Sequence, residues 1–174
     1  NFLGLFLTSV SVALGASATT AQAVDIALNV ITPAPIIVGN QVRIDLVLTS
    51  STGFPQPFDA LGAVLVWDPS QLRLIDNDQS NQSATGVYFA GFFPDADLIN
   101  ELPEPLTPAD GHAYFQAFTI GSPYLAPVPP GGFIATSFIF EALTPTAAST
   151  VQLLPNLGAF GETRVLLAGS DVTD

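Results

Sequence analysis

The sequence predicts an all-β domain, an antiparallel sandwich or barrel of about nine short strands behind an N-terminal signal segment. Three observations carry this. Apolar residues recur at every second position in run after run. The 15 Pro and 14 Gly fall mainly between those runs. No amphipathic helical pattern of three turns survives after residue 23.

The signal segment comes first. Residues 2 to 15 (FLGLFLTSVSVALG) are apolar and uncharged, and Ala21-Gln22-Ala23 follows as an A-x-A site. An apolar run followed by small residues and an A-x-A site is the layout of a secretory signal peptide. The run is shorter than the ~20 residues a membrane-spanning helix needs. Cleavage after Ala23 is the expectation, with residues 1-23 as leader and residues 24-174 as one mature domain. The alternative is a short buried helix or a retained anchor. Every charged residue lies after Ala23, which favours cleavage.

The strands follow in order. Val24, Ile26, Leu28 and Val30 share one face of the first. In the second, Val42, Ile44, Leu46 and Leu48 point one way, and Gln41, Arg43, Asp45 and Thr49 the other, which marks one buried and one wet face. Thr32-Pro33-Ala34-Pro35 and Gly39-Asn40 separate the two as loop and turn. Ala60 to Trp67 is apolar at both parities and reads as a central strand, ended by Asp68-Pro69-Ser70. Gln71 to Ile75 is a short strand closed by Asp76-Asn77-Asp78. Further strands are expected at Gly86 to Ala90, Ala113 to Ile120, Phe133 to Ala142, Thr150 to Leu154 and Thr163 to Leu167. Ile44, Leu46, Val64, Val66, Phe138 and Phe140 are the expected core, with Ile134 on the face of the two phenylalanines.

Composition narrows the function. Fifteen acidic residues against three basic ones give a net charge of −12. Such a surface repels nucleic-acid phosphates and anionic lipid, so neither nucleic acid nor, for the mature form, a membrane is an expected partner. With 48% hydrophobic and 10% charged residues, the chain is no acidic disordered tail. A domain of this size buries about 70% of its unfolded surface and needs no covalent staple, in keeping with the absence of Cys. Export without disulfides fits a bacterial secreted or cell-surface protein.

Three segments stand out: Val38-Gly39-Asn40-Gln41-Val42-Arg43-Ile44, Ala63-Val64-Leu65-Val66-Trp67-Asp68-Pro69-Ser70-Gln71-Leu72 and Ile134-Ala135-Thr136-Ser137-Phe138-Ile139-Phe140-Glu141-Ala142. Together they resemble the cohesin-like family. The segment from Val38 is similar to the family's turn into its second long strand, with Val38 where a Pro is usual. The segment from Ala63 resembles its strand, aromatic, Asp-Pro, Leu pattern, and the segment from Ile134 its penultimate long strand. The resemblance implies a nine-strand sandwich of jelly-roll topology, related to carbohydrate-binding modules. It also implies non-catalytic binding of a protein partner, dockerin-like or a surface protein. A carbohydrate-binding module that takes polysaccharide is the alternative.

Catalytic parts are missing from the sequence. His112 is the single His and stands at the expected start of a strand. No G-x-S-x-G elbow is present, and Cys and Lys are absent, so no nucleophile with its base is assembled. No catalytic residue and no cofactor are expected. Calcium is the one ion the carboxylates invite, at Asp76-Asn77-Asp78 or Asp95-Ala96-Asp97, although turn chemistry explains both clusters better. Trp67, Tyr88, Phe89, Phe92, Phe93, Tyr114, Phe115 and Tyr124 are candidates for a sugar-stacking face, set against the commoner fate of aromatics in alternating strands, the core. Phe92-Phe93, beside Pro94 in an expected loop, is the candidate ligand contact. Asn81-Gln82-Ser83 matches a glycosylation acceptor.

Overall fold

The computed structural model of the chain describes residues 23–32, 36–78, 88–93, 111–119, 126–145, 150–157 and 161–174. These form β1 Val24–Val30, β2 Gln41–Ser50, β3 Gln56–Phe58, β4 Ala60–Trp67, β5 Leu72–Asp78, β6 Tyr88–Phe93, β7 His112–Thr119, β8 Ala126–Val128, β9 Phe133–Ala142, β10 Val151–Leu154, β11 Asn156–Leu157, β12 Gly161–Glu162, β13 Arg164–Leu167 and β14 Ser170–Asp171. The expected all-β class holds. The strands the alternation missed are β3, β8, β11, β12 and β14, each two or three residues long and too short to show a period.

Two antiparallel sheets make the sandwich. The first runs β1-β2-β9-β5 and the second β14-β13-β4-β7-β6, while β10 pairs with the half of β4 that β13 leaves free. The core lies between them. From the first sheet come Val42, Ile44, Leu46, Leu48, Phe138 and Phe140, and from the second Leu61, Ala63, Leu65, Trp67, Phe115 and Ala117, all buried. Three edge-to-face ring pairs bind β9 to what it faces: Phe140 with Trp67 at 5.2 Å, Phe138 with Phe115 at 6.0 Å, and Phe133 with Phe58 at 5.7 Å. The Trp67 indole N–H is satisfied by the Leu72 carbonyl at 3.1 Å.

Two bulges correct the sequence reading. In β9 the register slips between Leu46 paired with Thr136 and Val47 paired with Ile134, so Ala135 is an extra residue. One extra residue inverts the parity of what precedes it. Phe133 therefore enters the core, and Ile134, expected beside Phe138 and Phe140, is only half-buried. In β5 the register slips between Leu74 and Asp76, so Ile75, 42% exposed, is an extra residue, Asp76 stays exposed instead of returning to the core face of Leu72 and Leu74, and the strand runs on to Asp78. Asp76-Asn77-Asp78 is thus strand and not turn. The Asn77 side-chain amide oxygen accepts from the buried Thr136 hydroxyl.

Polarity on the wet face of β2 also departs from expectation. Asp45, read as solvent-facing, is 3% exposed. Its carboxylate accepts from Arg43 Nε at 2.9 Å and from the buried Ser137 hydroxyl at 2.7 Å. Gly39 behaves as expected: its φ of 83° closes a turn in which the Asn40 amide donates to the Ile37 carbonyl at 2.9 Å.

The two sheets are joined where the start of β1 meets residues 172 to 174. Val24 forms a parallel bridge with Thr173. Asp171 braces this corner, its carboxylate accepting from the Thr173 hydroxyl at 2.7 Å and amide at 2.9 Å. The hydroxyl bond is the main reason its pKa lies below the ordinary 3.8. A depressed carboxylate stabilises the fold above that ordinary value, and the contribution is lost as pH falls through the folded-state value.

Candidate docking face

The side of β4 that turns away from the core carries the candidate site. Leu61, Ala63, Leu65 and Trp67 occupy the core side, which leaves Gly62, Val64 and Val66 on the other. The register spreads that face over neighbouring strands. Leu154, Val64 and Tyr114 form one row across β10, β4 and β7. Gln152, Val66 and His112 form another. Arg164, Gly62 and Gln116 form a third, and Leu166, Ala60 and Phe118 a fourth. Val64 and Tyr114 are buried with Leu154 packed against them, a cluster separate from the main core. Val66 is half-buried and Phe118 is 41% exposed.

An antiparallel sheet packed on one side usually shows polar residues on the other. Here the outward rows hold an apolar group of Val64, Val66, Tyr114 and Leu154 with His112, Gln116, Gln152 and Arg164 around it, and a further apolar row of Leu166, Ala60 and Phe118 beyond. Val66, expected in the core, belongs to this outward face, because alternation alone does not say which parity meets the other sheet.

One end of the face is roofed by the small β11–β12 hairpin. Gly62 makes this approach feasible. A Cβ there would collide with the Glu162 main-chain oxygen and come within 2.9 Å of the Tyr114 hydroxyl. Thr163 closes the gap between β10 and β13, its hydroxyl accepting from the Val64 amide at 2.9 Å and donating to the Leu154 carbonyl at 2.5 Å. Glu162 and Arg164 form a half-exposed ion pair at the rim. Burial raises the pKa of Tyr114, opposed by Arg164 and assisted by Glu162, so the phenol stays protonated near neutrality. Substituting Gly62 by Ala is expected to displace the hairpin at a cost of about 1–3 kcal/mol, read from urea unfolding together with loss of amide protection at Thr163.

The structure scatters the other residues singled out from the sequence. Trp67 and Phe115 are core. Phe92 and Phe93 sit in β6 instead of a loop, in register with Phe115 and Tyr114; their side chains, like those of Tyr88 and Phe89, are outside the described residues. Tyr124, Asn81 and the Asp95–Asp97 cluster also lie outside them. His112 opens β7 as expected and pairs with Val66. Among the described residues no group of three or more His, Cys, Asp or Glu is placed to hold an ion, so Asp76 and Asp78 belong to no such group there. The signal for the outward apolar face was present in Ala60 to Trp67, whose eight residues offer apolar groups at both parities while one core needs only one.

No protein-family model matches the chain, and no curated protein matches it in sequence. Solved structures do match it in fold. The second type II cohesin module of the adaptor ScaA scaffoldin of Acetivibrio cellulolyticus superposes with a TM-score of 0.55 at 14% identity, over 87% of this chain and 83% of that one. A type II cohesin–X-dockerin complex from the same organism gives 0.50 at 16%, over 88% and 92%. The seventh ScaB type I cohesin of Pseudobacteroides cellulosolvens gives 0.50 at 12%, over 76% and 74%. The fold is therefore that of cohesin modules, as the three sequence segments implied. At these identities the likeness is one of fold.

Proposed function

We propose that this chain is a non-catalytic docking domain of the cohesin kind, which takes a dockerin-like protein module on the outward face of β10, β4 and β7. The observation that carries this reading is the apolar group on that face, Val64, Val66, Tyr114 and Leu154, on a sheet whose opposite side already packs the core. Val64 and Tyr114 are themselves buried and support this surface from beneath. The apolar area open to a partner is that of the half-buried Val66 and Leu154 and the exposed Phe118, and covering it stabilises a complex. The fold supports the partner class, since one of the similar structures is a cohesin–dockerin complex. It also supports a role in assembly over catalysis and a place outside the cell, because the similar modules belong to scaffoldins. The net charge of −12 favours a partner with basic residues at its edge and a salt-sensitive association rate. An exported scaffold domain requires a leader, the role assigned here to residues 1-23.

Calorimetric titration of residues 24 to 174 against a panel of dockerin modules tests the proposal, with soluble polysaccharides as the other arm. Saturable binding to a dockerin is expected. The variant Val66→Glu should weaken it by at least about 10-fold, or about 1.4 kcal/mol. Its own unfolding free energy should fall by only about 1 kcal/mol, since Val66 is half-buried. Unchanged affinity in the variant would move the interface elsewhere. Polysaccharide binding without dockerin binding would overturn the assignment.

A further inference from the structure

β1 is the outer strand of the first sheet, with β2 on its inner side. Its outer edge is used at one point. The Val24 amide donates to the Val172 carbonyl at 2.8 Å, and the Val24 carbonyl accepts from the Asp174 amide at 3.1 Å. Main-chain groups of successive residues in a strand turn to opposite sides, so those of Ile26, Leu28 and Val30 point outward as Val24's do. Asp25, Ala27 and Asn29 direct theirs to β2. Ile31 continues that alternation, its amide donating to the Arg43 carbonyl at 2.9 Å. Ile26, Leu28 and Val30 carry one donor and one acceptor each, and among the described residues nothing meets them.

An open edge is a template for another strand, and folded proteins commonly blunt it with Lys, Pro or a bulge. β1 has none of these. It is also uncharged where it is open. No Asp, Glu, Lys or Arg occurs from Ile26 to Val42, in a chain whose net charge is −12. Two such chains repel each other over most approaches, and this stretch lets them meet without facing like charges. We infer that β1 of a second copy adds to this edge, antiparallel, about a twofold axis at Leu28. In that register Leu28 faces the partner's Leu28, and Ile26 faces the partner's Val30, so every open donor and acceptor finds a mate. Val24, already engaged, lies beyond the pairing. Asp25, the single charge on β1, comes level with the partner's Ile31 and stays about 20 Å from the partner's Asp25, more than two screening lengths at physiological salt. Val30, 62% exposed, is covered beside the partner's Ile26. The proposed docking face belongs to the other sheet, so a pair carries two such faces and gains avidity for a partner with two modules.

Sedimentation equilibrium of the purified protein tests the pairing. One strand pair makes a small interface, so a weak dimer is expected, with the average mass rising from monomer toward dimer between about 10 µM and about 1 mM. Leu28→Pro removes the amide at the twofold axis, a group the monomer does not use, and proline is tolerated where a strand's N–H faces solvent. It should weaken dimerisation at least about 10-fold. Val30→Pro, which gives up little packing, should do the same and serves if Leu28→Pro fails to fold. Hydrogen exchange reads the position. The Ile26, Leu28 and Val30 amides should exchange fast in dilute protein and slowly in concentrated protein. A monomer at about 1 mM, or a dimer that neither proline weakens, would overturn the inference. Slow exchange of these amides in the monomer would overturn it too, since another segment would then hold the edge.

Discussion

Truncating Phe138 to Ala is expected to lower the unfolding free energy by about 3–5 kcal/mol, measured as a fall in the urea midpoint at constant slope. The size follows from position. Phe138 is fully buried, stands near the middle of β9, and meets the Phe115 ring across the sandwich at 6.0 Å, edge to face. Removing the ring loses its transfer free energy and its aromatic pairing, and leaves a cavity between two sheets. Collapse is resisted on both sides. β9 is held between β2 and β5, and Phe115 belongs to β7, held between β4 and β6. A domain of this kind has about 5–15 kcal/mol in all, so the variant is expected near the edge of folding at physiological temperature. Phe138→Leu, which keeps most of the apolar volume, should lose less than half as much. A loss below about 1 kcal/mol for the alanine variant would show that the ring is not where the packing is made.

Replacing Asp45 by Ala is expected to cost about 2–4 kcal/mol, although the residue lies on the face of β2 that turns away from the core. The Asp45 side chain is 4% exposed, and both its oxygens are used. One accepts from Arg43 Nε at 2.9 Å and from Ser137 Oγ at 2.7 Å; the other accepts from Arg43 Nη2 at 3.3 Å. Alanine strands the Ser137 hydroxyl, which has no exposure of its own, and leaves the Arg43 guanidinium without its counter-charge. Arg43 keeps 30% side-chain exposure, so water recovers part of its loss, and the expected cost stays below that of a fully buried pair. The double variant Asp45→Ala with Ser137→Ala should cost less than the sum of the singles, because the added substitution removes the group that the first orphaned. Strict additivity would mean that the hydroxyl and the carboxylate do not depend on each other.

Side-chain period is a local property, and it made most of this fold readable. The alternation in Gln41 to Thr49, the doubly apolar run Ala60 to Trp67 and the long strand Phe133 to Ala142 each predicted a strand that exists, because residues two apart in an extended chain share a face whatever the strand later pairs with. Composition likewise spoke against nucleic acid and anionic lipid as partners, through the sign of the charge. The three family-like segments pointed to the cohesin fold without any contact being known.

Tertiary structure decided what depends on partners distant in the chain. Ala135 is an extra residue only because β2 runs beside β9 without one, so the exchange of Phe133 for Ile134 in the core is invisible in β9 alone. Asp45 is polar and alternates with apolar neighbours, yet it is buried because Arg43 and Ser137 close over it. The docking face follows the same rule. Val64 and Val66 were legible as apolar, but which parity of β4 meets the other sheet, and which turns outward, was settled by how the two sheets pack. The corner at Val24 is more extreme, since its hydrogen-bond partners arrive from residues 172 to 174. Local sequence sets which residues share a face. Only the assembled sheets set what that face touches.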